Sequence, residues 1–150
     1  MAGIFDEANM NRVLGDCLPE GEILQAGIHG ITLQVNKKKT SYFDVYIGVT
    51  GQYLLVAECE ERQYLTAAYP KIRDSRKTVA EDVGVCFPFE DIRHCEIKKA
   101  IMGAVNCSIT FRNGDFLRLQ LPKRGGLGGG MPRHAEYREK ILARLESLPR

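Results

Sequence analysis

The sequence predicts a mainly β fold: a bent antiparallel barrel of seven strands, or an orthogonal two-sheet sandwich, capped by a C-terminal amphipathic helix. Three observations predict it: two apolar strands joined by a tight turn at 44–57, a second hairpin at 105–121, and an apolar stripe of helical spacing at 133–148. A meandering sheet must fold over to cover its apolar face, and one terminal helix can cover the remaining opening.

The length of 150 residues indicates one domain, with a short helical extension at 1–17 followed by the domain proper at 18–150. The composition, 44% hydrophobic and 27% charged, is typical of a soluble globular protein. A net charge of +2 is too small to indicate a nucleic-acid partner, so we expect none.

We expect a cytoplasmic protein, with peripheral membrane association left open. No apolar run approaches the roughly 20 residues that cross a bilayer. The N-terminal residues carry Asp6 and Glu7 and lack a basic region followed by an apolar one, unlike a secretory signal. The five cysteines are odd in number and widely spaced, without a CxxC pair, which indicates reduced thiols.

The first half of the chain reads as one helix and four strands. Residues 4–15 form a short helix that must pack on the domain or fray. Residues 22–35 are one long bent strand or two short ones, because glycines inside the segment permit a bend. After a loop at 36–41 come the hairpin at 44–57 and a fourth strand at 62–68.

The hairpin at 44–57 has a testable register. Gly51 and Gln52 at the centre of the turn predict a type II′ loop, since that loop needs glycine first. The resulting register pairs aliphatic residues on the face assigned to the core: Val49 with Leu54 and Ile47 with Val56. Gly48 lies on the other face and suggests a bend or a close backbone approach there.

The second half begins with a polar surface excursion at 69–84, followed by a fifth strand at 85–99. In the last hairpin, a two-residue Asn-Gly turn would mix polar and apolar faces. A three-residue loop at 112–114, with Gly114 left-handed, restores the alternation by placing apolar partners opposite each other: Ile109 with Leu117 and Cys107 with Leu119.

A glycine-rich connector after Arg124 precedes the final helix, which Pro132 can begin. Its apolar stripe consists of Tyr137, Ile141, Leu145 and Leu148, widened by Ala135 and Leu142.

Four features together resemble the pleckstrin-homology-like (PH-like) superfold, particularly the bacterial PH-like and GRAM-like domains. They are residues 18–22, the hairpin residues 49–55, residues 87–92, and the last hairpin with its terminal helix. The resemblance covers roughly 18–148 and implies a helix-capped, bent two-sheet barrel that acts as a non-catalytic platform for proteins or lipid headgroups. The family usually continues from Val-Thr into an Asp and a basic residue, and 51–53 departs from that pattern.

Lys37, Lys38 and Lys39 are the candidate ligand-binding residues, because eukaryotic PH domains hold phosphoinositides with basic residues in the matching loop. Each lysine could contribute roughly 1 kcal/mol near an anionic membrane. The second strand lacks the family's basic continuation, and the carboxylates of 58–61 would offset the three lysines. A solvated loop or a protein contact is the competing interpretation.

No catalytic residue, metal site or cofactor is predicted. The glycine-rich connector lacks the GxxxxGK[ST] pattern of a phosphate cradle. His29, His94 and His134 have no recognisable metal-ligand spacing, and the cysteines fit strand faces as small hydrophobes, Cys107 in particular.

The leading functional hypothesis is therefore a non-catalytic PH-like module that binds an unidentified protein partner through a sheet edge or groove. The alternative is peripheral binding of a membrane or an anionic lipid headgroup through the basic loop 36–41. A small-ligand barrel or an enzyme is the third hypothesis.

Overall fold

The computed structural model describes residues 5–36, 43–59, 86–124 and 130–149. Two helices and seven strands lie within them: α1 Glu7–Gly15, β1 Ala26–Val35, β2 Phe43–Val49, β3 Tyr53–Glu58, β4 Cys86–Pro88, β5 Ile92–Lys99, β6 Val105–Phe111, β7 Phe116–Leu121 and α2 His134–Glu146. Two short 3-10 turns, Phe89–Asp91 and Ile101–Gly103, precede β5 and β6.

The seven strands form one curled antiparallel sheet, a half-barrel in the order β4-β3-β2-β1-β7-β6-β5. The mainly β fold with a helix near each end of the chain is thus confirmed. The predicted fourth strand at 62–68 and the polar excursion at 69–84 lie outside the described residues.

Residues 22–35 were predicted to form either one long bent strand or two short strands. The structure has one long bent strand, β1. Its first part, from Ala26 to Thr32, pairs with β2, and its last part pairs with β7. The register against β7 shifts between Thr32 and Gln34. An extra residue of this kind bends a strand and increases its twist. As a result Thr32 and Val35, three positions apart, are both buried.

The hairpin of β2 and β3 has the predicted register, with Val49 opposite Leu54. The predicted type II′ turn is wrong, because Gly51 does not take the positive φ that this turn requires. Instead the Thr50 hydroxyl oxygen accepts hydrogen bonds from the backbone N–H groups of Gln52 (3.2 Å) and Tyr53 (3.0 Å). The turn is therefore stabilised by the Thr50 side chain and does not depend on the backbone conformation of a glycine.

The predicted fifth strand at 85–99 is in fact two strands on opposite edges of the sheet. Pro88 ends β4, since it has no N–H to extend a ladder. The 3-10 turn that follows buries Phe89 and carries the chain across to β5. There the backbone N–H of Arg112 donates to the Asp91 carbonyl at 2.8 Å. The 3-10 turn therefore links the two edges of the half-barrel.

The last hairpin is confirmed in full. Gly114 has a φ of +95°, and its N–H donates to the Phe111 carbonyl at 3.0 Å. The Phe111 N–H in turn donates to the Asp115 carbonyl at 2.9 Å, which closes a three-residue loop. Ile109 lies opposite Leu117, as the alternation requires.

Helix α2 covers the concave face of the sheet. Three of its apolar side chains, Ile141, Leu142 and Leu145, join the main hydrophobic core, and Leu148 joins it just after the helix ends. Ala135 does not widen the apolar stripe as predicted, because it is exposed, whereas the preceding His134 is only 2% exposed. The buried face is thus rotated relative to the predicted one at the N-terminal end of the helix.

Helix α1 covers the convex face, where Met10 and Leu14 join a second core cluster. Two glycines paired across β1 and β2, Gly27 and Gly48, let the helix approach the sheet. A Cβ atom on Gly27 would lie 2.9 Å from the Met10 sulfur, and one on Gly48 would lie 2.9 Å from a Leu14 methyl group. Of the bend or close backbone approach predicted at Gly48, the structure has a close approach, made chiefly by the side chains of Leu14 and Leu24.

We expect Gly48→Val to destabilise the protein by about 1–3 kcal/mol, because the new side chain overlaps Leu14 and Leu24. Gly15→Ala is the matched control, since a Cβ there meets nothing within 4 Å. Urea unfolding followed by circular dichroism measures both. An unchanged midpoint for Gly48→Val would contradict the packing of α1 on this face.

Candidate functional site

The predicted ligand-binding residues Lys37, Lys38 and Lys39 lie outside the described residues. The chain that leads to them is anchored at Asn36, which has a left-handed φ of 53°. Its backbone N–H donates to the Phe116 carbonyl at 2.8 Å, and its side-chain oxygen accepts from the Phe116 N–H at 2.9 Å. Asn36, the last described residue before the basic loop, therefore lies beside the start of β7.

The best-defined candidate site among the described residues is the outer edge of β5. In the described sheet β5 pairs on one side alone, with β6. The Cys95 N–H points away from β6, since it donates to the Pro149 carbonyl at 2.7 Å. Backbone groups alternate along an antiparallel strand. The N–H and C=O groups of Ile97 and Lys99 are therefore also directed outward.

A groove of about 650 Å³ runs between this edge and the end of α2. It is lined by His94, Glu96, Ile97, Lys98 and Glu146. Ile97 packs partly against the main core, so it forms an apolar floor. The Lys98 ammonium lies 3.2 Å from the Glu96 carboxylate on the exposed face. Within the described residues, the site thus combines backbone groups without a strand partner, an apolar floor and a charged face.

The tail after α2 already uses part of this edge. Leu148 is buried in the core, and the next residue, Pro149, provides the carbonyl that Cys95 binds. Arg144 steadies the tail: its guanidinium lies 4.0 Å from the centre of the Phe89 ring and donates to the Ser147 hydroxyl at 2.9 Å. The edge of β5 therefore already binds a backbone carbonyl at Cys95, immediately before residues 97–99.

A buried His–Asp pair on the convex face was not predicted. His29 Nε2 lies 2.6 Å from Asp44 Oδ1, and Phe5 stacks on the imidazole with a centroid distance of 3.9 Å. Pairing of His29 with Tyr46 and of Ile31 with Asp44 brings the two side chains to one face. The sequence does show a charged residue, Asp44, within an apolar strand. Its partner His29 is set by the register between β1 and β2, which the sequence of either strand alone does not give.

His134 is also buried, at the start of α2. Its Nε2–H donates to the Pro122 carbonyl at 2.7 Å, whereas Nδ1 is buried and has no hydrogen-bond partner in the described part of the chain. Burial lowers the pKa of His134, and the nearby His29 and Arg138 lower it further, against the opposing effect of the Pro122 hydrogen bond. The neutral imidazole is thus favoured in the folded protein.

The cysteines have the properties of core residues. Cys107 is completely buried, as predicted, and burial raises the pKa of its thiol to about 12. Burial likewise raises the pKa of Cys95 to about 11. Thiols of this kind are protonated at neutral pH and weak as nucleophiles. In the described ranges, no three or more His, Cys, Asp or Glu residues are grouped so that they could hold a metal ion.

None of the helices in the described part of the chain has the length and apolar content needed to span a bilayer.

The buried His134 predicts a loss of stability in acid. The unfolded-state pKa is near 6.5 and the folded-state pKa is lower, so the unfolded chain takes up the proton first. Stability is therefore highest above about pH 6.5 and declines as the pH falls below that value. His134→Gln, whose amide can still donate to Pro122, should reduce the decline in melting temperature between about pH 7.5 and about pH 5.

His94→Gln is the control for this experiment, because His94 is only half-buried and lies on β5, whereas His134 is buried on α2. Thermal unfolding followed by circular dichroism measures all three proteins. An acid decline in His134→Gln as steep as in the unsubstituted protein would contradict this role of His134.

No family model matches the chain, and neither does any curated protein. Among solved structures, the chain is similar to the C-terminal domain of an unknown protein from Leishmania infantum, with a TM-score of 0.48 and 10% sequence identity. That similarity covers 94% of this chain and 98% of the other. At these values it supports no conclusion about function.

Proposed function

We propose that this chain is a non-catalytic, PH-like interaction module that binds an extended segment of a partner protein along the β5 edge. One observation carries the proposal: the Cys95 N–H, on an eight-residue edge strand, already binds a backbone carbonyl from the tail. Addition of a peptide strand to an exposed sheet edge is a recurrent mode of protein recognition.

The remaining backbone groups of β5 define how the partner binds. The outward N–H and C=O groups of Ile97 and Lys99 are spaced to pair with alternate residues of an added strand. Such main-chain bonds supply affinity, whereas pockets for alternate side chains supply specificity. On one face the partner meets the apolar Ile97 beside α2, and on the other it meets the Lys98–Glu96 ion pair.

The partner chemistry that fits is an extended segment that alternates apolar and polar side chains. An apolar side chain would cover Ile97 within the groove beside Glu146. A polar or charged side chain at the adjacent strand position, on the opposite face, would lie near the exposed Lys98 and Glu96. Alternation of this kind matches the period of two in a strand.

Two further features support the PH-like assignment and a cytoplasmic location. The curled seven-stranded sheet with a terminal helix over its concave face agrees with the architecture that the sequence resemblance implies. None of the five cysteines, all of which lie in the described ranges, forms a disulfide, as is usual in a reducing compartment. The competing proposal is an anionic lipid headgroup held by Lys37, Lys38 and Lys39.

The proposal is tested with peptides selected from a random library against the full chain, with affinity measured by fluorescence polarisation. Ile97→Pro should weaken binding of the selected peptides at least about tenfold, because it removes an outward N–H at an edge position that tolerates proline. Ile97→Val, which keeps that N–H, should bind within about threefold of the unsubstituted protein.

The triple change of Lys37, Lys38 and Lys39 to Ala should leave peptide affinity unchanged. Circular dichroism of each variant verifies the fold. Equal peptide affinity for Ile97→Pro and the unsubstituted protein would refute recognition at the β5 edge. Failure to select any peptide, together with lysine-dependent binding of phosphoinositide headgroups, would favour the competing proposal.

A further inference from the structure

We propose that the hairpin tip between β5 and β6 docks onto the surface of an anionic lipid bilayer, a site separate from both the β5 edge and the basic loop 36–41. Ile101 is 80% exposed and Met102 is 91% exposed. They are adjacent in the chain and occupy the end of a hairpin. We call these two residues, together with Lys99, Lys123 and Arg124, the tip surface.

The turn holds the two apolar side chains outward. Met102 has a left-handed backbone (φ 57°, ψ 32°), and Gly103 follows with a φ of 78°. The Ala100 N–H donates to the Ala104 carbonyl at 2.8 Å, and the Ala104 N–H donates to the Ile101 carbonyl at 3.1 Å. A non-glycine residue keeps such a conformation where its surroundings determine it.

Side chains from other elements brace the turn from behind. The Arg138 guanidinium on α2 donates to the Gly103 carbonyl at 2.7 Å. The stem of Lys123 packs so closely on Gly103 that a Cβ there would lie 2.6 Å from the lysine Cδ. The tip surface is therefore a fixed shape, tied to both the sheet and the C-terminal helix.

The charged residues of the two segments that form the tip are of one sign. Residues 97–105 and 120–124 contain no carboxylate, and they carry Lys98, Lys99, Lys123 and Arg124. Lys98 is paired with Glu96, which leaves three cations for an external anion. Lys123 and Arg124 line one side of a cleft of about 700 Å³ whose apolar walls include Ile31, Ala104 and Pro122.

This combination favours a membrane over the other anionic partners. Apolar side chains with flanking cations can insert below the headgroups while the ammonium and guanidinium groups remain at the level of the phosphates. A nucleic acid would use the cations but offers no apolar phase for Ile101 and Met102. The tip surface is both cationic and apolar, and an anionic bilayer has a negatively charged surface over an apolar interior. The bilayer is therefore the partner that matches the tip surface.

The direct test is cosedimentation of the full chain with phosphatidylcholine vesicles, with and without about 30% phosphatidylserine. Binding should require phosphatidylserine and weaken with salt. The double variant Ile101→Ser, Met102→Ser should partition about tenfold less. The double variant Lys99→Gln, Lys123→Gln should partition about 25-fold less, at about fivefold for each cation.

Ile23→Ser is the matched control, because Ile23 is 78% exposed but lies before β1, outside the tip surface. It should bind vesicles like the unsubstituted protein, and so should the triple Ala variant of Lys37, Lys38 and Lys39. Absence of phosphatidylserine-dependent binding, or equal binding by the double serine variant, would overturn the proposal. Loss of binding in the triple Ala variant alone would assign the membrane contact to the basic loop.

A second readout reports insertion itself. The chain contains no tryptophan, so Met102→Trp introduces a single tryptophan at the tip. Its emission should shift to shorter wavelength on phosphatidylserine vesicles and be quenched by lipids that carry a quencher in the acyl chain. The same signal from Ile23→Trp should not change. Emission from Met102→Trp that stays at the solvent-exposed wavelength on vesicles would contradict insertion.

Discussion

The whole sheet depends on β1, because this strand pairs with β2 along its first part and with β7 along its last part. The register shift after Thr32 bends the strand between these two partners. Ile28 on one face enters the main core, whereas Gly27 on the other meets α1. A sheet curled about one shared strand thus presents a concave face to α2 and a convex face to α1.

In the part of the chain that the structure describes, both faces of the sheet are covered, and the edges and turns remain available for binding. The proposed sites follow from this constraint, since one is the outward edge of β5 and the other is the tip where β5 ends. Lys99 belongs to both, since its backbone groups are directed to the edge and its position is two residues before Ile101 in the same hairpin. A peptide bound along β5 would therefore run toward a docked membrane, which suits a module that brings a partner protein to a lipid surface.

The alternation of apolar and polar residues in the sequence predicted the features that depend on pairing between neighbouring strands. It gave the register of both hairpins and the left-handed Gly114, because a one-residue slip would move apolar side chains off the core face. It missed the turn at Gly51, where the Thr50 hydroxyl competes with glycine geometry. Burial of His134 depends on a carbonyl of Pro122, and the open edge of β5 depends on strand order. Both depend on contacts between distant parts of the chain, which the periodicity of apolar residues in the sequence does not reveal.

Backbone hydrogen exchange measured by NMR tests, residue by residue, whether the β5 edge is open beyond its contact with the tail. The amides of Glu96 and Lys98 should exchange slowly because they face β6, and the Cys95 amide should be protected by Pro149. The Ile97 amide should exchange much faster than its two neighbours. Equal protection of Ile97, Glu96 and Lys98 would show that the edge is covered and would contradict the account.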